Sequence, residues 1–246
     1  MQAPQPPSVE IAEQLGQELL DELVKPQLEI DAAKTLDLVA RGAKLDMVVN
    51  TGFSALNALM MAMVKHQDAL GLAILARMPD DQIDARSSSK FTALLFAAAN
   101  GTTASALELL RRGADPHAVN GTLSGALVLA AEAGHYKIVV ALLDKCVDPD
   151  LPGRPFDVST PLMGAASYGR TDIARELILR GADTTRKDER GLTARKRALE
   201  NNRHDTVAAM DAALAEYRLR ITAEAFEFCA AVEAGADGFE TPVQLL

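Results

Sequence analysis

The sequence predicts an all-α solenoid in which pairs of short helices stack in line, and three observations favour this fold class. A helix start of the same type recurs at Thr92, Gly125, Thr160 and Thr193, at steps of 33, 35 and 33 residues. The composition is 48% hydrophobic but only 4% aromatic, with no tryptophan, which suits small helical units better than one large core. Glycine follows most of the helical segments, where it can end a helix. Short helices cannot bury their apolar faces alone, so each unit needs similar units beside it.

The clearest copy spans residues 160–183 and predicts two consecutive helices. Thr160 is placed to cap the first helix, and Pro161 fits its first turn, where the missing N–H costs no hydrogen bond. Gly169 is expected to end that helix, and Thr171 to cap the second one. The apolar positions of both helices are predicted to be buried: Leu162, Ala165, Ala166, Ile173, Leu177 and Ile178.

This copy resembles the ankyrin repeat. A Thr-Pro-Leu start at Thr160, followed by two alanines and repeated about every 33 residues, matches that family in residue type and in spacing. The resemblance covers roughly residues 28–216. It implies helix-turn-helix units joined by short hairpins, and a protein that binds another protein through a concave groove without catalysis of its own. The family often has His after Thr-Pro-Leu, whereas Met163 stands there in this chain, so apolar packing is expected to replace the local hydrogen bonds.

The domain boundaries follow from the repeat positions. Residues 1–7 are expected to be a disordered tail, and residues 217–246 a C-terminal capping helix and tail. The first capping pair is predicted to have helices from Ser8 to Val24 and from about Leu28 to Ala40. The array, residues 8–216, is divided into that N-terminal capping pair and five repeats: 8–49, 50–85, 86–118, 119–150, 151–183 and 184–216.

The unit at residues 50–85 departs most from the pattern. Ser54 is interpreted as the start of its first helix, 38 residues before Thr92, with Ala55 and Leu56 after it. Its second helix is followed by Pro79 where better copies have glycine. The extra residues are expected to lengthen the end of that helix or the loop after it.

Charge and composition argue against several function classes. A net charge of -9 and an isoelectric point near 5.0 disfavour nucleic-acid binding. Cys146 and Cys229 are too few for a disulfide framework, and each is interpreted as a small apolar side chain. No run approaches the ~20 apolar residues of a membrane helix, and the first residues lack the apolar region of a signal peptide. We therefore expect a cytoplasmic monomer without a cofactor, while secretion as an effector stays open.

No motif predicts catalysis or a metal site. The four histidines, His66, His117, His135 and His204, lie one per unit and form no i, i+4 pair. No nucleophile elbow, P-loop or dinucleotide fingerprint is present in the sequence. A structural role is expected for Cys146.

The resemblance implies a partner surface at the hairpin tips and at the ends of the first helices. Carried onto this chain, the expected partner-binding residues are Phe91, Asn100, Glu132, Phe156, Asp157, Ser167, Tyr168, Arg190 and Asn201. Phe91, Phe156 and Tyr168 stand out because the repeat needs no aromatic residue there, and aromatic side chains contribute strongly at interfaces. For Phe91 and Phe156, folding back onto the hairpin is an equally open alternative.

A second hypothesis, of a different class, is a self-assembling structural subunit. Residues 1–31 are acidic and residues 186–203 are basic, so opposite ends of two chains are able to attract each other. Solvated faces without a partner are the simpler interpretation of both charge runs. An effector or regulator whose target is bound by the repeats is a further alternative.

Overall fold

The computed structural model describes residues 6–51, 55–151 and 159–233, without the side chains of residues 28 and 225–233. Within these ranges the helices are α1 (Val9–Val24), α2 (Ala32–Ala40), α3 (Ala58–Val64), α4 (Asp68–Leu75), α5 (Ala93–Asn100), α6 (Thr103–Arg111), α7 (Ala126–Ala133), α8 (Tyr136–Leu143), α9 (Pro161–Tyr168), α10 (Thr171–Leu179), α11 (Ala194–Glu200) and α12 (His204–Glu233). Two short strands, β1 (Val48–Asn50) and β2 (Ala55–Asn57), form an antiparallel pair. The predicted all-α fold class is confirmed.

The helices stack in two layers. The first layer contains α1, α3, α5, α7, α9 and α11, and each of these helices contacts the next one. The second layer contains α2, α4, α6, α8, α10 and α12, which contact each other in the same order. Each first-layer helix also packs on the helix that follows it in the chain. The chain therefore advances one helix pair at a time.

An apolar core runs along the interface between the layers from Leu15 in α1 to Ala213 in α12. Leu162 and Leu177, which the repeat pattern places in this core, are both 0% exposed. Burying a leucine of this kind contributes roughly 1.5–3 kcal/mol. Paired alanines recur at the same place in α5, α7 and α9, and they let neighbouring helices approach closely: Ala97, Ala98, Ala130, Ala131, Ala165 and Ala166.

The first-layer helices begin and end in a common way. The hydroxyls of Thr92, Thr160 and Thr193 accept hydrogen bonds from backbone N–H groups three residues later, as N-caps do. Gly101 and Gly169 end α5 and α9 with left-handed φ angles of 77° and 69°. A residue with a Cβ is strained in that conformation, which explains the regular glycines.

The prediction that Thr171 caps α10 is wrong by one residue. Arg170 occupies the N-cap position and makes no side-chain capping bond, because a single residue separates Gly169 from the first turn of α10. The hydroxyl of Thr171 instead lies 2.9 Å from that of Thr206. It thereby links two second-layer helices.

The start of the irregular unit also differs from the prediction. Asn57, not Ser54, is the N-cap of α3, and its side chain accepts a hydrogen bond from Met60 N–H. Both positions precede Ala-Leu, so the sequence pattern alone fits either. Residues 55–57 form β2, which pairs with β1 and moves the helix start three residues along the chain. The extra residues after α4 form a short 3-10 helix, Asp80–Gln82.

Two further predictions differ from the observed structure. α12 is one continuous helix of 30 residues where a repeat helix and a separate capping helix were predicted, because no glycine or proline interrupts residues 204–233. Cys146 is exposed and left-handed, with φ of 57°, three residues after the end of α8, so it is not a buried apolar side chain. Residues 1–5 of the predicted tail lie outside the described residues.

Candidate functional site: a polar groove across the last three repeats

A polar groove crosses the first layer over α7, α9 and α11. It consists of two adjoining cavities of about 320 and 360 Å³, which share Ser167, Arg197 and Asn201. Glu132 and Tyr168 line the larger cavity, and Arg190 lines the smaller one. We refer to this surface, Glu132, Ser167, Tyr168, Arg190, Arg197 and Asn201 with their neighbours, as the α7–α11 groove.

Arg197 stands in the middle of the groove and is held from two sides. Its Nε donates to Oδ2 of Asp188 at 2.6 Å, and its Nη1 donates to the hydroxyl of Ser159 at 2.8 Å. The Asp188 side chain is 1% exposed and that of Arg197 is 16% exposed. An ion pair shielded from water in this way holds the guanidinium in one orientation before any ligand arrives.

Asp188 also shapes the loop before α11. Its Oδ1 accepts hydrogen bonds from the N–H groups of Arg190 and Leu192, at 2.9 and 2.8 Å. Burial raises the pKa of the Asp188 carboxyl, but the bonds from Leu192 and Arg197 outweigh that effect and hold the pKa below its ordinary value. One carboxylate thus fixes both the loop and the central arginine.

The side chain of Glu132 packs against Gly164 of the neighbouring repeat. A Cβ at Gly164 would lie 2.7 Å from Cγ of Glu132, which is closer than real carbon atoms approach. The Glu132 stem occupies the space that a side chain at position 164 would need. Glycine inside α9 weakens the helix by about 1 kcal/mol relative to alanine, so this arrangement lowers the stability of the helix. The groove floor therefore depends on a missing side chain.

The polar groups in the centre of the groove are already bonded within their own helices. The hydroxyl of Ser167 donates to the carbonyl of Met163 at 2.9 Å, and Nδ2 of Asn201 donates to the carbonyl of Arg197 at 2.8 Å. Tyr168 is different, since it is 55% exposed and its hydroxyl has no hydrogen-bond partner within the described parts of the chain. Tyr168 thus presents an apolar ring and a free donor at the groove edge.

Arg203 lies beside Tyr168, at the start of α12. Its Cδ packs against Gly169, where an added Cβ would come within 2.8 Å of it. Its guanidinium makes no hydrogen bond or ion pair with the residues that the structure describes. The stem is therefore fixed while the charged end stays available.

Comparison with known protein families decides what kind of repeat this is. A family model described as ankyrin repeats matches residues 127–215 in three copies, which include α7, α9 and α11. Residues 127–215 of this chain contain ankyrin repeats. The resemblance stated from the sequence is thereby confirmed, and such repeats are modules of protein–protein interaction.

Relatives of the ankyrin array are parts of much longer proteins. The inactive serine/threonine-protein kinase TEX14 of Mus musculus is 34% identical over 118 residues, 48% of this chain and 8% of that protein. An ankyrin repeat and KH domain-containing protein of Caenorhabditis briggsae is 34% identical over 113 residues, 45% of this chain and 4% of that protein. A transient receptor potential cation channel subfamily A member 1 homolog of Caenorhabditis elegans is 34% identical over 118 residues, 48% and 10% of the two chains. The ankyrin array thus spans a tenth or less of these relatives.

The residues predicted from the sequence to contact a partner fall into three groups. Five of them line the α7–α11 groove of the ankyrin array: Glu132, Ser167, Tyr168, Arg190 and Asn201. Phe91 instead stacks on Phe96 with ring centroids 4.7 Å apart, and Asn100 donates to the carbonyl of Phe96 at 3.0 Å. Both therefore belong to one cluster near α5. Phe156 and Asp157 lie outside the described residues.

Sequence reasoning missed the residues that build the groove floor: Asp188, Arg197, Gly164 and Arg203. A signal for Asp188 exists in hindsight, because Ser87 and Asn120 occupy the same place in earlier hairpins and are also buried. Asn120 accepts bonds from the N–H groups of Thr122 and Ser124, as Asp188 does in its own loop. A buried polar residue at this position of the repeat thus indicates the hairpin. Where that residue is acidic, as at Asp188, it also forms an ion pair with Arg197 of α11.

Three arginines of the basic run near the C-terminal repeat form ion pairs within the ankyrin array. Arg195 bonds to Asp211 at 2.9 Å, Arg190 bonds to Glu200 at 2.8 Å, and Arg197 bonds to Asp188. Less positive charge is therefore left to attract a distant acidic surface than the sequence suggests.

No metal-binding cluster of His, Cys, Asp or Glu occurs among the described residues. Among the same residues no helix combines the length and apolar character needed to cross a bilayer. His135 packs its ring against Gly101, and burial lowers the pKa of its imidazole, with the Arg170 charge acting in the same direction. This histidine has a packing role at the junction of two repeats.

Proposed function

We propose that this ankyrin array is a non-catalytic protein-binding scaffold that holds its partner in the α7–α11 groove. The observation that carries the proposal is the preformed floor, in which Arg197 is fixed by Asp188 and Ser159 before binding. A rigid surface loses little conformational entropy on association, so more of the contact energy contributes to affinity. The partner is another protein, and we propose a cytoplasmic setting in which the free thiol of Cys146 stays reduced.

Tyr168 is the expected centre of the binding energy. Its ring is 55% exposed at the edge of the groove, and large aromatic residues at interface centres commonly contribute 2 kcal/mol or more, a factor of roughly thirty in affinity. Tyr136 offers a matched control, because it is 43% exposed but lies on α8 in the second layer. A partner that binds in the groove should lose affinity when Tyr168 is replaced but not when Tyr136 is replaced.

The test is affinity capture from a native lysate followed by titration of the captured protein. We expect Tyr168→Ala to weaken binding at least about tenfold while Tyr136→Ala leaves it unchanged. The free energy of unfolding should change by less than about 0.5 kcal/mol in the groove variant, since an exposed ring contributes little to folding. Equal losses in both variants, or binding that survives Tyr168→Ala, would overturn the assignment of the groove.

Self-assembly through the two charge runs predicts a different result. Sedimentation at low and high salt should show a monomer at both, because three arginines of the basic run, Arg190, Arg195 and Arg197, are paired internally. A salt-sensitive oligomer at low ionic strength would instead support the structural-subunit hypothesis.

A further inference from the structure

The two cavities of the α7–α11 groove contain different sets of charged side chains. Asp188, Glu189 and Glu200 face two arginines in the smaller cavity, which leaves one negative charge. The larger cavity shares Arg197 with the smaller one and adds Glu132 and Arg203. A ligand that spans both cavities therefore meets carboxylates and arginines.

Internal ion pairs show which groups produce these charges. Arg190 is bonded to Glu200 and Arg197 to Asp188, so each pair is neutral. Glu189 at one end and Arg203 at the other make no hydrogen bond or ion pair with any described residue. These two side chains therefore keep their full charge for a ligand.

The Arg203 end is suited to a carboxylate. A guanidinium offers a planar pair of N–H donors that matches two carboxylate oxygens, and the Tyr168 hydroxyl supplies a third donor beside it. Packing of the Arg203 stem on Gly169 keeps the guanidinium at this end of the groove.

We propose that the groove takes an extended protein segment with a carboxylate against Arg203 and a cationic side chain against Glu189. This inference rests on the proposed function and specifies the chemistry of the bound segment at each end of the groove. The carboxylate belongs either to an Asp or Glu side chain or to the C-terminus of the partner.

Selection of a random-peptide display library on the intact chain tests the inference. Binders that depend on Tyr168 should be enriched in an acidic residue or a free C-terminus at one position and in Lys or Arg at another. For such a peptide, Arg203→Met should weaken binding about tenfold, and Arg203→Glu should weaken it further. A peptide whose acid is replaced by Arg should regain affinity for Arg203→Glu, and amidating the C-terminus separates the two sources of carboxylate.

The controls keep folding and charge apart from recognition. Arg203→Met retains the stem over Gly169, so its thermal unfolding should match that of the unaltered protein. Arg218→Met removes an exposed cation from another part of α12 and should leave affinity unchanged. Tyr168-dependent peptides without an acidic preference, or with unaltered affinity for Arg203→Met, would overturn this inference and leave the proposed function standing. A selection that yields no Tyr168-dependent binder would overturn both.

Discussion

The irregular unit that contains α4 and the regular C-terminal repeats stack in the same way but complete the ends of their second helices by different means. In the C-terminal repeats, α10 is followed by a left-handed glycine, Gly181. The N–H of Asp183 then donates to the carboxylate of Asp150 in the preceding repeat at 3.0 Å. In the N-terminal part, α4 has no such glycine. Arg112 of the next unit instead donates to the carbonyls of Leu75 and Met78.

This difference shows what the repeat pattern supplies and what can replace it. Helix C-termini leave carbonyl groups unpaired, and a glycine turn satisfies them with backbone alone. Where that turn is missing, a long side chain from the neighbouring unit performs the same task. Such a bond also occurs where the glycine turn is present: Arg77 donates to the carbonyl of Ala40 at 2.8 Å, and α2 is followed by the left-handed Gly42.

The largest expected effect is the loss of the Arg112 cap. Arg112→Ala should lower the free energy of unfolding by about 2 kcal/mol, because it removes charge-assisted hydrogen bonds to buried carbonyls and the ion pair with Asp80. Denaturant unfolding followed by circular dichroism measures this change. Arg111→Ala is the control, since Arg111 is 72% exposed and bonds Glu108 on its own helix, and it should cost less than about 0.5 kcal/mol. Equal effects at the two positions would refute the capping role.

A smaller effect is expected where Cys146 replaces the glycine of the regular ending. Its φ of 57° is unfavourable for a residue with a Cβ, so Cys146→Gly should raise the free energy of unfolding by up to about 1 kcal/mol. Gly113→Ala is the reverse comparison, at φ of 91° and with no heavy atom within 4 Å of the added Cβ. It should lower the free energy of unfolding by about 1 kcal/mol. A loss of stability in Cys146→Gly would mean that the thiol makes a contact that outweighs the strain.

The last comparison concerns the pH dependence of the N-terminal cap. Glu22 is 2% exposed and bonds Lys25 Nζ at 2.8 Å, the Asp31 N–H at 3.1 Å and Lys34 Nζ at 3.0 Å. These bonds, that of Lys25 above all, lower the pKa of Glu22 from 4.5 to about 2, although burial acts in the opposite direction. Because the folded-state pKa is depressed, the stabilisation is complete above pH 4.5 and is lost as the pH falls towards 2.

Chemical denaturation of the unaltered protein and of Glu22→Gln across this range checks the assignment. The difference in unfolding free energy between them should be constant near neutral pH and should shrink below pH 4.5. Glu10→Gln, at an exposed position of α1, serves as the control. A difference that stays constant down to pH 2 would show that the charge of Glu22 does not stabilise the cap.

Much of the array could be predicted from single residues and their spacing. Thr160 and Gly169 bound α9 as expected, and Leu162 and Leu177 are buried, because N-caps, glycine turns and apolar periodicity act within one unit. The start of α3 was misplaced because the choice between Ser54 and Asn57 depends on strand pairing. The separate capping helix after Tyr217 was likewise an inference from a weakened pattern, whereas helix continuity depends only on the absence of a breaker.

By itself the sequence determined that helix pairs stack in line as ankyrin repeats, since a recurrent start, small alanines and left-handed glycines specify each unit locally. Only the tertiary structure decided where the groove lies and which charges remain available in it. The reason is physical: Asp188, Arg197 and Ser159 meet across the boundary between two repeats, and the Arg203 stem rests on a glycine of the repeat before it. Contacts between repeats depend on side-chain length and direction, which the spacing of the pattern does not encode.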